Sequence, residues 1–328
     1  VRLRIFVLTA VVALGSLFIG LVAGIYVGRT RGIPFVQSGE QWTIGIYTGS
    51  SPLDFPASEN QSGPVLTPED VTDVRASFVA DPFLIDDGNL WYLFFEVYNV
   101  QTEQGDLAVA TAPLDDPRDM TYRGVVIDEP FHLSYPYVFR WEDDYYLIPE
   151  SFETESIRLY RSTHFPDEWE LVATLVSGRD YVDPSILRFD DHWWLFSADT
   201  GNDTLYLFES DNLTSGWKEH VASPIVVADP HKARSSGRVV THEGHPYRFT
   251  MDVQPSFGTH AVRAFEITEL TTHSYAEKEA RAEPIIQPDG EGWNGQAMHQ
   301  LDAHRIGPGR WIASVDGFGK YYVYGWRY

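Results

Sequence analysis

One phrase occurs five times along this chain: an aromatic residue opens a short apolar run, and a carboxylate stands five positions later. The copies are Trp91-Tyr-Leu-Phe-Phe-Glu96, Tyr145-Tyr-Leu-Ile-Pro-Glu150, Trp194-Leu-Phe-Ser-Ala-Asp199, Tyr247-Arg-Phe-Thr-Met-Asp252 and Trp311-Ile-Ala-Ser-Val-Asp316. Successive carboxylates are 54, 49, 53 and 64 residues apart. Strand-length runs repeating at about fifty residues are the pattern of a propeller with four strands per blade. Equivalent positions on its blades surround one channel, so the phrase predicts carboxylates gathered at a channel mouth. The expected fold is all-β, a five-bladed β-propeller preceded by one N-terminal transmembrane helix.

The anchor is read from Ile5–Val27, 23 residues without a charge. At about 1.5 Å per residue such a helix spans a bilayer. The run is longer than the apolar core of a cleaved leader, and no A-x-A-like site follows it. The expected organisation is a tail at 1–4, an anchor at 5–27, a linker at 28–40 and the propeller at 41–328. Positive residues nearly balance across the apolar run. Three of six Asn residues, Asn60, Asn202 and Asn212, sit in N-x-S/T. They point to surface loops of an exported protein, so the expected location is the cell membrane, single-pass, with the propeller outside the cytoplasm.

Composition narrows the partners. The net charge is −23, and only four of the 24 basic residues are Lys. Such a chain repels phosphates, so nucleic acid is excluded as a partner. Many carboxylates with few Lys suggest a halophilic habitat, where salt screens the repulsion. The chain has no Cys, so no disulfide staples the fold and no lipidated Cys anchors it. Aromatic residues make up 14% of the chain, which suits packing between sheets.

Strands can be traced blade by blade. The first blade reads Phe83–Ile85, Trp91–Glu96, Asp106–Ala112 and Tyr122–Ile127, with Asp86-Asp-Gly-Asn89 as its first turn. The fifth reads Met298–His304, Trp311–Asp316 and Tyr321–Trp326; the segment Trp42–Tyr47 is expected to supply its fourth strand and close the ring. The start of each first strand meets the end of the second at one rim. The starts read Ala80-Asp81-Pro82, Ser134-Tyr135-Pro136, Val182-Asp183-Pro184, Ser236-Gly237-Arg238 and Ala297-Met298-His299. Asp81, Asp183, Arg238 and His299 are therefore expected at the mouth beside Glu96, Glu150, Asp199, Asp252 and Asp316. His132, Tyr135, His231 and Arg234 lie on adjacent loops. His299, His304 and Asp302 are candidates for holding a channel cation; no other cofactor is expected. Trp193 and Trp194 read as core.

The chain from Trp42 onward resembles the N-terminal domain of the plant glucosamine inositolphosphorylceramide transferases and its microbial stand-alone relatives. The resemblance rests on Ala80-Asp-Pro-Phe-Leu84, Asp128-Glu-Pro-Phe-His-Leu-Ser-Tyr-Pro-Tyr137, Ile148-Pro-Glu-Ser151, Gly201-Asn-Asp-Thr-Leu-Tyr-Leu-Phe208, Val262-Arg-Ala-Phe-Glu-Ile-Thr-Glu-Leu270 and Arg310-Trp-Ile-Ala313. It implies a five-bladed propeller akin to the arabinanase, xylosidase and invertase superfamily, whose enzymes use three carboxylates on separate blades. Asp81 matches the base or nucleophile and Asp183 the orienting carboxylate. Glu150 is the first choice for the acid and Glu96 the second. Arg238, His299, Asp252, Tyr135 and His132 are the expected substrate contacts. The plant proteins carry their transferase domain C-terminally, so transferase activity is not expected of this chain. The expected function is a glycosidase acting on a glycan or glycolipid. The alternative is a non-catalytic glycan-binding module, or an accessory of glycolipid or surface-glycan synthesis beside a partner glycosyltransferase.

Overall fold

The computed structural model describes residues 15–22, 36–57, 60, 62–253 and 261–324. Two compact units divide it, Gln41–Gly319 and a second made of Val1–Glu40 with Lys320–Tyr328. In the second unit residues 15–22 form a helix, with Leu17, Phe18, Ile19, Leu21 and Val22 exposed. Among the described residues no helix is long and apolar enough to cross a membrane. The remainder of the expected anchor, 5–14 and 23–27, lies outside the described residues.

Five antiparallel sheets follow one another as blades. The first is Ala76–Asp86, Leu90–Asn99, Gln104–Pro113 and Thr121–Ile127; the second is Ser134–Trp141, Asp144–Glu150, Ser156–His164 and Glu168–Ser177. The third is Tyr181–Phe189, His192–Asp199, Leu205–Ser210 and Lys218–Glu219; the fourth is Val240–His242, His245–Met251, Val262–Thr271 and Ser274–Glu279. The fifth has three strands, ordered Leu301–Gly307, Arg310–Tyr324, Val36–Gly49. This is the predicted all-β five-bladed propeller, closed by an N-terminal strand.

The last blade departs from expectation in one respect. Tyr321–Tyr324 continues the strand that begins at Arg310 instead of forming a separate one, while 325 and 326 lie outside the described residues. The N-terminal strand is therefore third in its sheet. It begins at Val36, inside the segment read as linker.

Local chemistry explains the hairpins. Asp190 and Asp191 have φ of 51° and 59°, and Glu243 and Gly244 have φ of 52° and 85°. Paired left-handed residues give the turn whose twist matches the strands on either side. In the first blade Asp87 Oδ1 accepts from the N–H groups of Asn89 and Leu90 at 2.8 and 2.9 Å. Between blades the packing is aromatic: Phe83 against Tyr137, and Phe139 against Trp193, with ring centroids 5.2 and 6.1 Å apart. Trp193 and Trp194 are buried in this core.

Candidate active site

Three blades begin with the same distortion. Asp81, Tyr135 and Asp183 hold φ of 53°, 47° and 46°, each followed by Pro, and Gly237 holds φ of 104° at the matching place in the fourth blade. The strand register shifts at each of the first three: between Ala80 and Phe83, Ser134 and Tyr137, and Val182 and Ser185. A bulge with a left-handed residue re-aims one side chain away from the pleat, and the conformation costs on the order of 1 kcal/mol or more for a residue with a Cβ. Here the re-aimed carboxylates of Asp81 and Asp183 turn toward the channel mouth.

The second strands bring the partners. Glu96 lies opposite Ala80, and Glu150 opposite Ser134. In the third blade Ala198 lies opposite Val182, so Asp199 stands one residue further along. A single step along a strand reverses the face. Asp199 instead accepts from the Tyr206 hydroxyl at 3.0 Å and from the Gly201 N–H. Asp252 pairs with Arg263 at 3.0 Å and His231 at 2.8 Å. Asp316 is fully buried and ties the ring together. It accepts from the N–H groups of Asp81, His299 and Gln300 at 3.0–3.1 Å.

A cavity of about 620 Å³ opens here. Its floor carries Asp81, Glu96, Glu150, His299 and Arg234; Trp42, Phe78, Phe152 and Phe318 stand on its walls with His132. His299 bridges Asp316 (Nδ1 to Oδ1, 2.8 Å) and Asp81 (Nε2 to Oδ1, 3.3 Å). Trp42 packs on its ring, centroids 4.2 Å apart. Arg234 donates through Nε to Asp183 and through Nη2 to Glu150 at 3.2 Å, and reaches Asn202 at 2.7 Å. Among the described residues, Glu96 has only His132 as an ionic neighbour, Nε2 to Oε1 at 3.5 Å. The Gly105 N–H donates to His132 Nδ1 at 2.9 Å. That bond places the proton of the neutral imidazole on Nε2, facing Glu96.

These surroundings separate the ionisations. Burial pushes Asp81 up to about 7 against the pull of His299. Burial likewise pushes Asp183 up to about 7, with Arg234 opposing and Glu150 adding to the rise. Burial first, and then the charges of Asp81 and Glu150, holds Glu96 well above the usual carboxylate range. Burial works against a charged His299, but Asp316 and Asp81 outweigh it and raise the ring to about 9. Burial lowers His132. His299 is thus the charged histidine of the site and His132 the neutral one.

Other expected contacts lie elsewhere. Arg238 sits deeper, with Nε 2.6 Å from Asp302 and Nη2 donating to the carbonyls of Leu84 and Val138. His304 completes that cluster, 2.9 Å from Asp302, so Asp302 already has an arginine where a cation was expected. Burial opposes ionisation of Asp302, yet Arg238 and His304 hold it down at about 2. The Tyr135 hydroxyl is spent on Gly237 and Ser185. Asp81, His299 and Asp316 each offer a donor atom within 4.8 Å of the others; a metal there would displace the proton that lets His299 bridge the two carboxylates. Sequence reasoning undervalued Arg234 and passed over the four aromatic walls, which lie outside the repeated phrase. A second cavity, about 600 Å³, holds none of the buried carboxylates; its Asp54, Asp289 and Glu291 are exposed.

Comparison with known proteins agrees with the expected resemblance. Residues 36–318 match the family model described as glucosamine inositolphosphorylceramide transferase 1, N-terminal. The rice (Oryza sativa subsp. japonica) glucosamine inositolphosphorylceramide transferase 1 is 34% identical, across 92% of this chain and 43% of its own length. The Arabidopsis thaliana protein of that name is 32% identical, across 84% and 39%. The chain therefore spans about two fifths of the curated relatives it matches. Among solved structures, the α-L-arabinofuranosidase of Podospora anserina has a TM-score of 0.58 at 14% identity, covering 78% of this chain and 95% of that one. The GH62 α-L-arabinofuranosidase catalytic domain of Coprinopsis cinerea gives 0.58 at 13%, covering 84% and 96%. At such identity these two speak to fold alone. With its five blades, its distorted strand starts and a family match over most of its length, the chain belongs to the glucosamine inositolphosphorylceramide transferase 1 N-terminal family.

Proposed function

We propose that the cavity binds a glycan and hydrolyses a glycosidic bond. One observation carries the proposal: two carboxyls share a pocket in opposite electrostatic settings. Asp81 is beside the charged His299, which pulls against its burial and makes it the readier of the two to ionise. Glu96 is beside the neutral His132 and is held well above the usual carboxylate range by burial and by its carboxylate neighbours. Glycoside hydrolysis needs such a division, one carboxyl to protonate the leaving oxygen and one ionised to activate water or attack carbon. Glu96 is the acid in this mechanism and Asp81 the base or nucleophile. Glu150 and Asp183 share Arg234, which holds them in place as the back wall. This reverses the order in which the sequence ranked Glu150 and Glu96. Trp42, Phe78, Phe152 and Phe318 offer apolar faces for sugar rings, as small-molecule sites commonly do.

In the same proposal the apolar segment 5–27 tethers the propeller to a membrane, outside the cytoplasm. Of the three N-x-S/T sites, Asn212 is exposed. Asn60 is buried and bonded to the Thr48 backbone, and Asn202 accepts from Arg234.

A second function, glycan binding without turnover, is favoured by the relatives, more than half of whose length lies beyond the match. The propeller would then present a glycan to a glycosyltransferase. A hydrolysis screen over plant and microbial oligosaccharides separates the two. Turnover by the wild type, lost at least about 10³-fold in Asp81→Asn as expected of an essential acid or base, supports hydrolysis. Asparagine tolerates the left-handed backbone at this position, so the variant isolates chemistry from folding. Binding by both proteins with no product from either would sink the hydrolase and leave the binding module.

A further inference from the structure

We propose that the second cavity, between the fourth and fifth blades, holds a stretch of neutral saccharide chain apart from the channel mouth. The ligand class rests on the glycan reading above. The place does not, because the two cavities share no lining residue among those described.

The site is built on glycines. Trp293 stands in the short 3-10 turn Gly292–Asn294. A Cβ on Gly45 would come within 2.5 Å of Trp293 Cη2. One on Gly317 would come within 2.8 Å of Trp293 Cζ3 and 2.5 Å of Asn294 Cβ. These glycines lie on Val36–Gly49 and Arg310–Tyr324, neighbours in the fifth sheet. Their missing side chains leave the notch that seats the turn and its indole. Trp293 Nε1 donates to the Ser62 carbonyl at 3.2 Å, and Asn294 Nδ2 to the Tyr47 hydroxyl at 2.7 Å. The indole is thus fixed before a ligand arrives, yet it stays half-exposed on the cavity. A side chain already held costs little ordering on binding.

The lining chemistry sets the ligand. Tyr47, Phe55, Ile285 and Ile286 are buried and give the cavity an apolar floor beside Trp293. Gln287, Asp54, Asp289 and Glu291 are exposed along it and supply acceptors. Among the described lining residues Arg281 is the one cation, and it donates to the Leu53 carbonyl at 2.9 Å. An acceptor-rich rim suits a ligand that brings hydroxyl donors, and an aromatic floor suits the C–H face of a sugar ring. Three carboxylates against one arginine oppose uronates and phosphates. At about 600 Å³ the space is of the size that small ligands occupy.

One loop serves both cavities. Trp293 and Asn294 line this one, and Gln296 lines the mouth. A polymer held at Trp293 keeps its remaining sugars near the mouth and raises their effective concentration there.

The test is fluorine NMR on the full chain labelled with 5-fluorotryptophan, in Asp81→Asn protein so that the probes survive. Trp293→Phe and Trp42→Phe identify the two resonances, one for each cavity. The probes are arabino-, xylo-, galacto- and mannohexaose, with a uronic acid hexasaccharide as the anionic control. At least one neutral probe should move the Trp293 resonance saturably at concentrations up to about 10 mM, and the uronate should not. The response should survive Trp42→Ala, which strips the mouth wall. It should weaken at least about tenfold when the exposed Gln287 and Glu291 are both replaced by alanine, through lost hydrogen bonds. A Trp42 response with Trp293 unmoved would overturn the second site and leave the glycan mouth standing. Loss of the Trp293 response in Trp42→Ala, or an undiminished response in the Gln287→Ala, Glu291→Ala protein, would also overturn it. An equal response to the uronate would overturn the neutral class. Silence of both resonances toward every probe would overturn this site together with the glycan reading.

Discussion

Glu96 shows how little of a site's chemistry resides in residue type. Its carboxyl differs from that of Glu150 only in neighbours: one faces a neutral imidazole, the other a guanidinium. Gly105 makes that difference structural. A Cβ at this position would meet the Leu133 carbonyl and stand 2.7 Å from Glu96 Oε1 and 2.9 Å from His132 Cε1. Gly105→Ala should therefore push Glu96 and His132 apart and cost about 1–3 kcal/mol, the usual range for overpacking. Urea unfolding checks the cost. An unchanged midpoint would mean that the pair gives way freely. None of this was legible beforehand, because Gly105 belongs to the third strand of its blade and carries no chemistry of its own.

At the scale of elements, strand starts and second-strand ends were readable because both follow a period. The aromatic-to-carboxylate phrase located Glu96, Glu150 and Asp316 correctly at the ring. It misplaced Asp199 by one residue, since Trp193 and Trp194 are adjacent and either could begin the phrase. One step along a strand reverses the face, and Asp199 consequently bonds to Tyr206. Arg238 was misjudged for a related reason: the residue at the strand start is Gly237, and Arg238 turns down the channel to Asp302.

Tyr135 illustrates the cost of reading function from position alone. It occupies the same left-handed place as Asp81 and Asp183, yet its hydroxyl accepts from the Gly237 N–H at 2.8 Å and lies 2.8 Å from Ser185 Oγ. It joins the second blade to the third and fourth. Tyr135→Phe leaves the buried Gly237 N–H without that acceptor and should lower stability by about 1–3 kcal/mol, read from the thermal midpoint. A midpoint equal to wild type would show that the bond contributes nothing net.

The whole molecule carries an excess of negative charge. With the net charge of −23, self-repulsion opposes the compact state, and salt shortens its range to a few Å. The thermal midpoint should rise between 0.1 and 3 M KCl; a flat or falling curve would remove the halophilic expectation. The buried ring adds a pH dependence whose sign can be stated. Asp81 and Asp183 are raised to about 7 in the folded state, so their contribution is complete below about 4 and disappears as pH rises through 7. His299 is raised to about 9, so its contribution is complete below about 6.5 and disappears as pH rises through 9. Asp302, held at about 2, contributes above about 4 and loses that contribution only as pH falls through 2. The thermal midpoint should therefore fall from pH 5 to pH 9.5, and a midpoint that climbs over that range would contradict the charge assignments.

The division of labour between Glu96 and Asp81 can be measured without knowing the sugar. Glutamate labelled with ¹³C at the side-chain carboxyl reports each ionisation by NMR, and Glu96→Gln identifies the resonance. Glu96 should titrate well above the usual glutamate value near 4.3. Titration of Glu96 near that ordinary value would leave the pocket without its acid and contradict the proposed chemistry.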